Sequence, residues 1–228
     1  MRRLKQIAGL MACIIFFALF FSGTQTLSGN TVADITLECR YILNAVNSFE
    51  MWSEAEFLAW INRGIEDIAS QTYCLQAREE ITLVNDQLEY DITLNYVHIV
   101  AAYHVNNAGT AKGLTLSSPA NMGIDTYSST VPSFYFDFDE KLSVFPPLAS
   151  VNNDKVWLYL AQKPAALTLS TDAIPIPAVW ESALIKYVAG IGWFKDRQNS
   201  KGAQSMTAYQ QEIDKLKKLL KLGTEVAK

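Results

Sequence analysis

The sequence predicts an α+β fold: a helical bundle formed by N-terminal and C-terminal helix pairs, with an antiparallel β insertion between them. Three observations carry this expectation. Apolar residues recur at steps of three and four before residue 72 and again after residue 178. Between residues 79 and 162 they alternate with polar neighbours at a step of two. Residues 163–177, with three prolines and little charge, divide the second regime from the return of the first. At 228 residues, half of them apolar, the chain can bury the core of one sizeable domain.

Residues 1–30 stand apart. Arg2, Arg3 and Lys5 precede an apolar run over 7–21, which ends in the small and polar residues SGTQTLSGN. This reads as a secretory signal peptide or a short membrane anchor, with Ser22 and Thr24, or Thr26 and Ser28, as the best small-residue pairs for cleavage. A start codon placed too far upstream, or an apolar arm packing on a partner, is the plainer alternative. Leu10-Met11-Ala12-Cys13 is only faintly like a lipoprotein box, because IIFFALFF follows the cysteine instead of preceding it. The expected single domain is 31–228.

Its first part, 31–72, reads as two helices. Thr31 and Asp34 make a cap pair for the first, with Ile35, Ile42 and Val46 among its apolar positions. The second is signed three times over: Ser53 as N-cap, Glu56 closing a capping box, and Trp52 with Phe57 as a hydrophobic staple. Phe57, Ile61, Ile65 and Ile68 form its face for burial, opposite Glu54, Asn62, Arg63, Glu66, Asp67 and Gln71. If the two helices run antiparallel about a loop near Ser48, Cys39 lies level with Trp60, about 20 Å from Cys74. That separation is beyond a disulfide's reach and leaves two free cysteines.

Residues 75–162 form the β insertion. Ile81 and Leu83, then Leu88, Tyr90 and Ile92, alternate on either side of Asn85-Asp86 and read as a hairpin. Further strands are expected at 97–105, 114–116, 134–138, 142–145 and 156–160, a small antiparallel sheet or sandwich. The extended linker 163–177 leads to helices over 178–222. Pro177 suits a first helical position, 199–202 breaks the helix, and 203–222 forms the last one.

Motifs for chemistry are scarce. His98 and His104, in one continuous strand, face the same side about 20 Å apart and cannot share a metal. Cys-x-x-Cys pairs, nucleophile elbows, phosphate loops and dinucleotide fingerprints do not occur in the sequence. Gly109, Gly113 and Gly123 lie in a loop with no following Lys-Ser or Lys-Thr. Asp137, Asp139 and Glu140 would suit a hard cation, but their place between two strands favours a solvated hairpin tip. No catalytic set, metal or cofactor is expected, and the chain reads as a non-enzyme.

Charge says more than motif. From Lys201 on there are six lysines against Glu212, Asp214 and Glu225, whereas residues 6–200 hold ten basic and twenty acidic side chains. An acidic body is a poor match for duplex phosphates. Lys215, Lys217, Lys218 and Lys221, interleaved with Leu216, Leu219, Leu220 and Leu222, are the exception. They suit nucleic acid, a membrane surface or an acidic groove on a partner, or simply favour the dipole of a helix C-terminus.

The order of elements from about residue 31 to residue 222 resembles the head-to-tail adaptor, or connector, proteins of tailed bacteriophages. The likeness rests on the Trp52-Ser53 start with Glu56, the Ile68-Ala69-Ser70-Gln71-Thr72 helix end, and Tyr90-Asp91-Ile92, where Thr93 stands in place of the family's proline. It continues with Leu142-Ser143-Val144-Phe145-Pro146 and Trp157-Leu158-Tyr159-Leu160 ahead of the proline-bearing linker. The resemblance implies a virion structural protein, assembled in the host cytoplasm as a homo-oligomeric ring, usually of twelve subunits. Such a ring joins the portal protein to a tail or stopper protein, and DNA passes its lumen without sequence-specific binding. Lys215, Lys217, Lys218 and Lys221 are then the expected docking residues toward the portal or a neighbouring subunit. Membrane contact is expected only through 7–21. Taken at face value, that leader supports the alternative of an exported or membrane-anchored envelope binding module.

Overall fold

The structure, a computed structural model, describes residues 29–44, 51–118, 131–148 and 153–225, with side chains in the last helix as far as Lys218. The run 7–21, the loop at Ser48, Gly123 and the side chain of Lys221 lie outside the described residues. Within them the chain is α+β, with four α-helices and two four-stranded sheets. It divides into two compact units, Met1–Cys74 with Pro164–Lys228, and Leu75–Lys163.

In the first unit, α1 (Val32–Ile42) and α2 (Glu54–Thr72) both start with complete capping boxes, Thr31 with Asp34 and Ser53 with Glu56. Each box satisfies two amides that a helix start leaves without partners. Tyr73, in the left-handed conformation at φ 52°, ends α2. The predicted apolar face of α2 is buried and is widened by Trp60 and Gly64. Between the two helices, the buried Arg40 guanidinium donates to the Trp52 carbonyl at 3.1 Å and to Glu54 at 2.8 Å, and lies 4.9 Å from the Phe57 ring centre. Neither Cys39 nor Cys74 is joined in a disulfide, and burial pushes the Cys39 thiol up.

The segment 163–177 has no helix or strand, yet it is tied down along its length. Asn62 donates to the Leu167 carbonyl at 2.9 Å and accepts from the Leu167 amide at 2.8 Å. The Val32 and Ala33 amides donate to the Asp172 and Ser170 carbonyls, and Ile174 and Ile176 are fully buried. Pro177 keeps an extended backbone, ψ 145°, ahead of a 3-10 turn at Ala178–Trp180. It therefore precedes that turn and does not occupy the first position of α3 (Glu181–Lys195).

The break after α3 also falls earlier than expected, at 196–198, where Arg197 takes φ 58°. Helix α4 (Asn199–Glu225) contains Gly202 in its interior. A Cβ at that glycine would stand 2.7 Å from the Phe194 ring. Gly202 thus permits close approach of the two helices and does not interrupt the second.

In the second unit, β1 (Gln76–Thr82), β8 (Lys155–Gln162), β3 (Tyr96–Val105) and β4 (Ala111–Gly113) form one sheet in that order. The other is β2 (Glu89–Asp91), β7 (Lys141–Phe145), β6 (Phe134–Phe138) and β5 (Thr115–Leu116). Ile99, Ala102, Val156, Leu158 and Leu160 of the first meet Tyr90, Tyr135, Leu142 and Val144 of the second in one core.

Three strand expectations are corrected. The runs on either side of Asn85-Asp86 do not pair as a hairpin, since β1 pairs with β8 and β2 with β7. The Leu83 amide bonds the Asp154 carbonyl, the Asp86 amide bonds the Leu148 carbonyl, and the Tyr90 hydroxyl fills the turn by accepting from the Val84 amide. The second sheet is mixed, because β5 runs parallel to β6. Strand β3 is not continuous: register shifts lie between Tyr96 and His98 and between Ile99 and Ala101. Each inserts one residue against β8, and because only the second lies between the two histidines, His98 and His104 end on opposite faces. His104 is buried and lies 2.9 Å from Asp154, whereas His98 is exposed.

Among the described residues no helix is long and apolar enough to cross a membrane.

Candidate docking surface

Helix α4 carries the predicted lysines, and its packing decides which way each one points. Tyr209, Ile213 and Leu216, at steps of four and three, are buried. The opposite side, Gln211, Asp214, Lys215 and Lys218, is exposed and lines an open, shallow depression. The rotation of the helix is fixed by polar contacts with the other two helices it meets. The Tyr209 hydroxyl donates to Asp67 of α2, and Gln71 donates to the same carboxylate at 2.9 Å. The Tyr209 and Tyr187 rings meet edge to face at 5.3 Å, and Lys186 of α3 pairs with Glu212 at 2.9 Å. Burial, reinforced by the Asp67 carboxylate, pushes the Tyr209 phenol up. The hydrogen bond from Lys186 holds Glu212 below the usual carboxylate range.

These contacts split the three lysines whose side chains are described, Lys215, Lys217 and Lys218. Lys215 and Lys218, three residues apart, stand together on the outward face. Lys217 is half-buried and reaches Gln71 at 3.4 Å. It extends the Asp67–Gln71–Tyr209 network and so helps to seat the helix. The sequence held a signal for this division: a seam through Tyr209, Ile213 and Leu216 puts position 217 beside it and 215 and 218 across from it.

The acidic cluster sits at the β6–β7 tip. Phe138 pairs with Lys141, leaving Asp139 and Glu140 as a two-residue turn with φ of 54° and 62°. Asp137 accepts from the Tyr96 hydroxyl at 3.3 Å. Burial first, and then the Asp137 charge, raises the Tyr96 phenol to about 12. Among the described residues, no group of three or more His, Cys, Asp and Glu is placed to hold a metal ion. Sequence periodicity did not single out Phe138, which is 74 % exposed beside that turn. Its position, last in a strand before two acids, was the available cue.

Comparison with curated proteins finds no match to the chain. A family model described as SU10 adaptor protein matches residues 30–226, a stretch that takes in both units and every described element. The match agrees with the resemblance carried by the capped α2, the Tyr90-Asp91-Ile92 strand and the two C-terminal helices. The chain belongs to the SU10 adaptor family, the head-to-tail adaptors among the structural proteins of phage virions.

Proposed function

We propose that the protein is a non-enzymatic component of a phage or prophage virion that forms an oligomeric ring between portal and tail, around the DNA exit channel. The observation that carries this reading is the family match over residues 30–226. The outward face of α4 supports it, since Lys215 and Lys218 stand clear of the helix seam on an otherwise acidic chain. In this reading α4 docks toward the portal or a neighbouring subunit, with Lys215 and Lys218 in contact, Lys217 seating the helix and Lys221 continuing the basic run. The acidic body lets DNA move through the lumen, because phosphates gain nothing from carboxylates. Replacing Lys215, Lys217, Lys218 and Lys221 by glutamate is expected to abolish ring assembly on the portal, scored by electron microscopy of purified portal mixed with the full chain. Assembly at unchanged affinity would sink the docking role.

A further inference from the structure

We infer that residues 167–174 form a latch that couples Asn62 of α2 to the start of α1, so that α1 and the latch open and close together as one local unit. A helix start leaves amides without partners in its own ladder. At α1 the Thr31 and Asp34 amides are satisfied within the capping box, at 2.8 Å and 3.3 Å. The two between them, Val32 and Ala33, donate instead to the Asp172 and Ser170 carbonyls, at 3.0 Å and 2.8 Å. Half of the α1 start is therefore supplied by the segment between β8 and α3. A helix of 11 residues is marginal alone in water, so those two bonds bear on whether α1 forms.

The latch presents its two carbonyls as one braced piece. The Asp172 carboxylate accepts from the Thr168 and Leu169 amides, both at 2.8 Å, and the Asp172 amide donates back to the Leu169 carbonyl at 3.2 Å. Upstream the piece is held by Asn62, whose side-chain amide both donates to and accepts from Leu167, as a neighbouring strand would. Downstream the Ile174 amide donates to the Asn30 carbonyl at 3.0 Å, and the Asn30 side chain donates to Glu181 at 2.8 Å. Releasing the Asn62 end therefore moves the carbonyls that α1 needs. Burial puts α1 at the weak end of its unit: five of its residues are buried, two of them the polar Thr36 and Arg40, against seven in α2 and eight in α3. Opening bares the side of α3 at Gly192, where a Cβ would stand 2.6 Å from the Leu43 methyl.

The test is hydrogen exchange on the full chain, resolved by residue, in water and in urea below the unfolding transition. In the wild type the α1 amides and that of Ile174 should share one urea dependence and exchange faster than the α3 and α4 amides. Asn62→Ala should speed the α1 and Ile174 amides by a common factor of about ten and leave those of α3 and α4 unchanged. Asp172→Ala, which removes the brace inside the latch while keeping both Asn62 bonds and the Thr31–Asp34 box, should do the same. Acceleration confined to the latch, with α1 unchanged in either variant, would overturn the coupling. Acceleration of every helix together, or a wild-type urea dependence that α1 shares with α3 and α4, would overturn the local unit. Should Asn62→Ala fail to fold, Asp172→Ala and the wild-type urea dependence decide the same question.

Discussion

Glu56 shows how much one side chain can join. Its carboxylate accepts from the Ser53 amide at 2.9 Å, closing the α2 capping box, and also receives the Lys195 ammonium from α3. The Lys195 hydrogen bond first, and the Ser53 amide second, hold its acid constant at about 2. A carboxyl depressed in the folded state stabilises the protein above its unfolded value, and that contribution disappears as pH falls through the folded value. Glu56→Gln is therefore expected to lower the melting temperature at neutral pH, and the gap from wild type should close between about pH 5 and about pH 2. A gap of constant size down to pH 2 would show that the charge contributes nothing. Gly64 is the apolar counterpart in the same helix. A Cβ there would come within 2.6 Å of the Leu184 methyl and 2.9 Å of the Tyr187 ring, so the crossing of α2 and α3 needs the bare backbone.

Elements whose signals are local were legible in the sequence, and those that depend on distant partners were not. Both capping boxes sit within four residues and were readable, as was the apolar face of α2. The partners of β1 and β2, by contrast, come from fifty or more residues away, and local alternation cannot specify them. The same gap explains the histidines, because the shifts in β3 are defined only against β8. At the candidate site the lysine run was plain, while its division into outward and seated members required the helix seam. That seam is testable through Tyr209. Tyr209→Phe keeps the edge-to-face contact with Tyr187 and removes the hydroxyl that donates to Asp67. A hydrogen bond to a charged acceptor in a partly buried site is worth about 1–2 kcal/mol after allowing for the bond Gln71 retains. The urea midpoint should fall by that free energy divided by the slope of the unfolding curve, with the slope unchanged. A larger loss with a shallower slope would mean that α4 detaches as a unit.

At the scale of the whole molecule, the β unit leaves and re-enters the chain at a single place. Leu75 and Gln162 meet through a backbone hydrogen bond of 2.9 Å, and β1 and β8 pair antiparallel from Gln76 with Ala161 to Thr82 with Lys155. The ends of Leu75–Lys163 are thus joined by the unit's own sheet, and its two sheets share a core that includes the fully buried Leu142, Leu158 and Leu160. A segment with its own core and adjacent ends has what an autonomous domain requires. It is short enough for its stability to be small, because a short chain buries a lower fraction of its surface. Residues 75–163 produced alone are expected to fold, to unfold in one cooperative transition, and to melt below the full chain. Dispersed amide resonances and a sigmoidal urea curve would establish this. A collapsed segment that binds hydrophobic dyes and unfolds without a transition would show that the sheets need the helical unit in order to form.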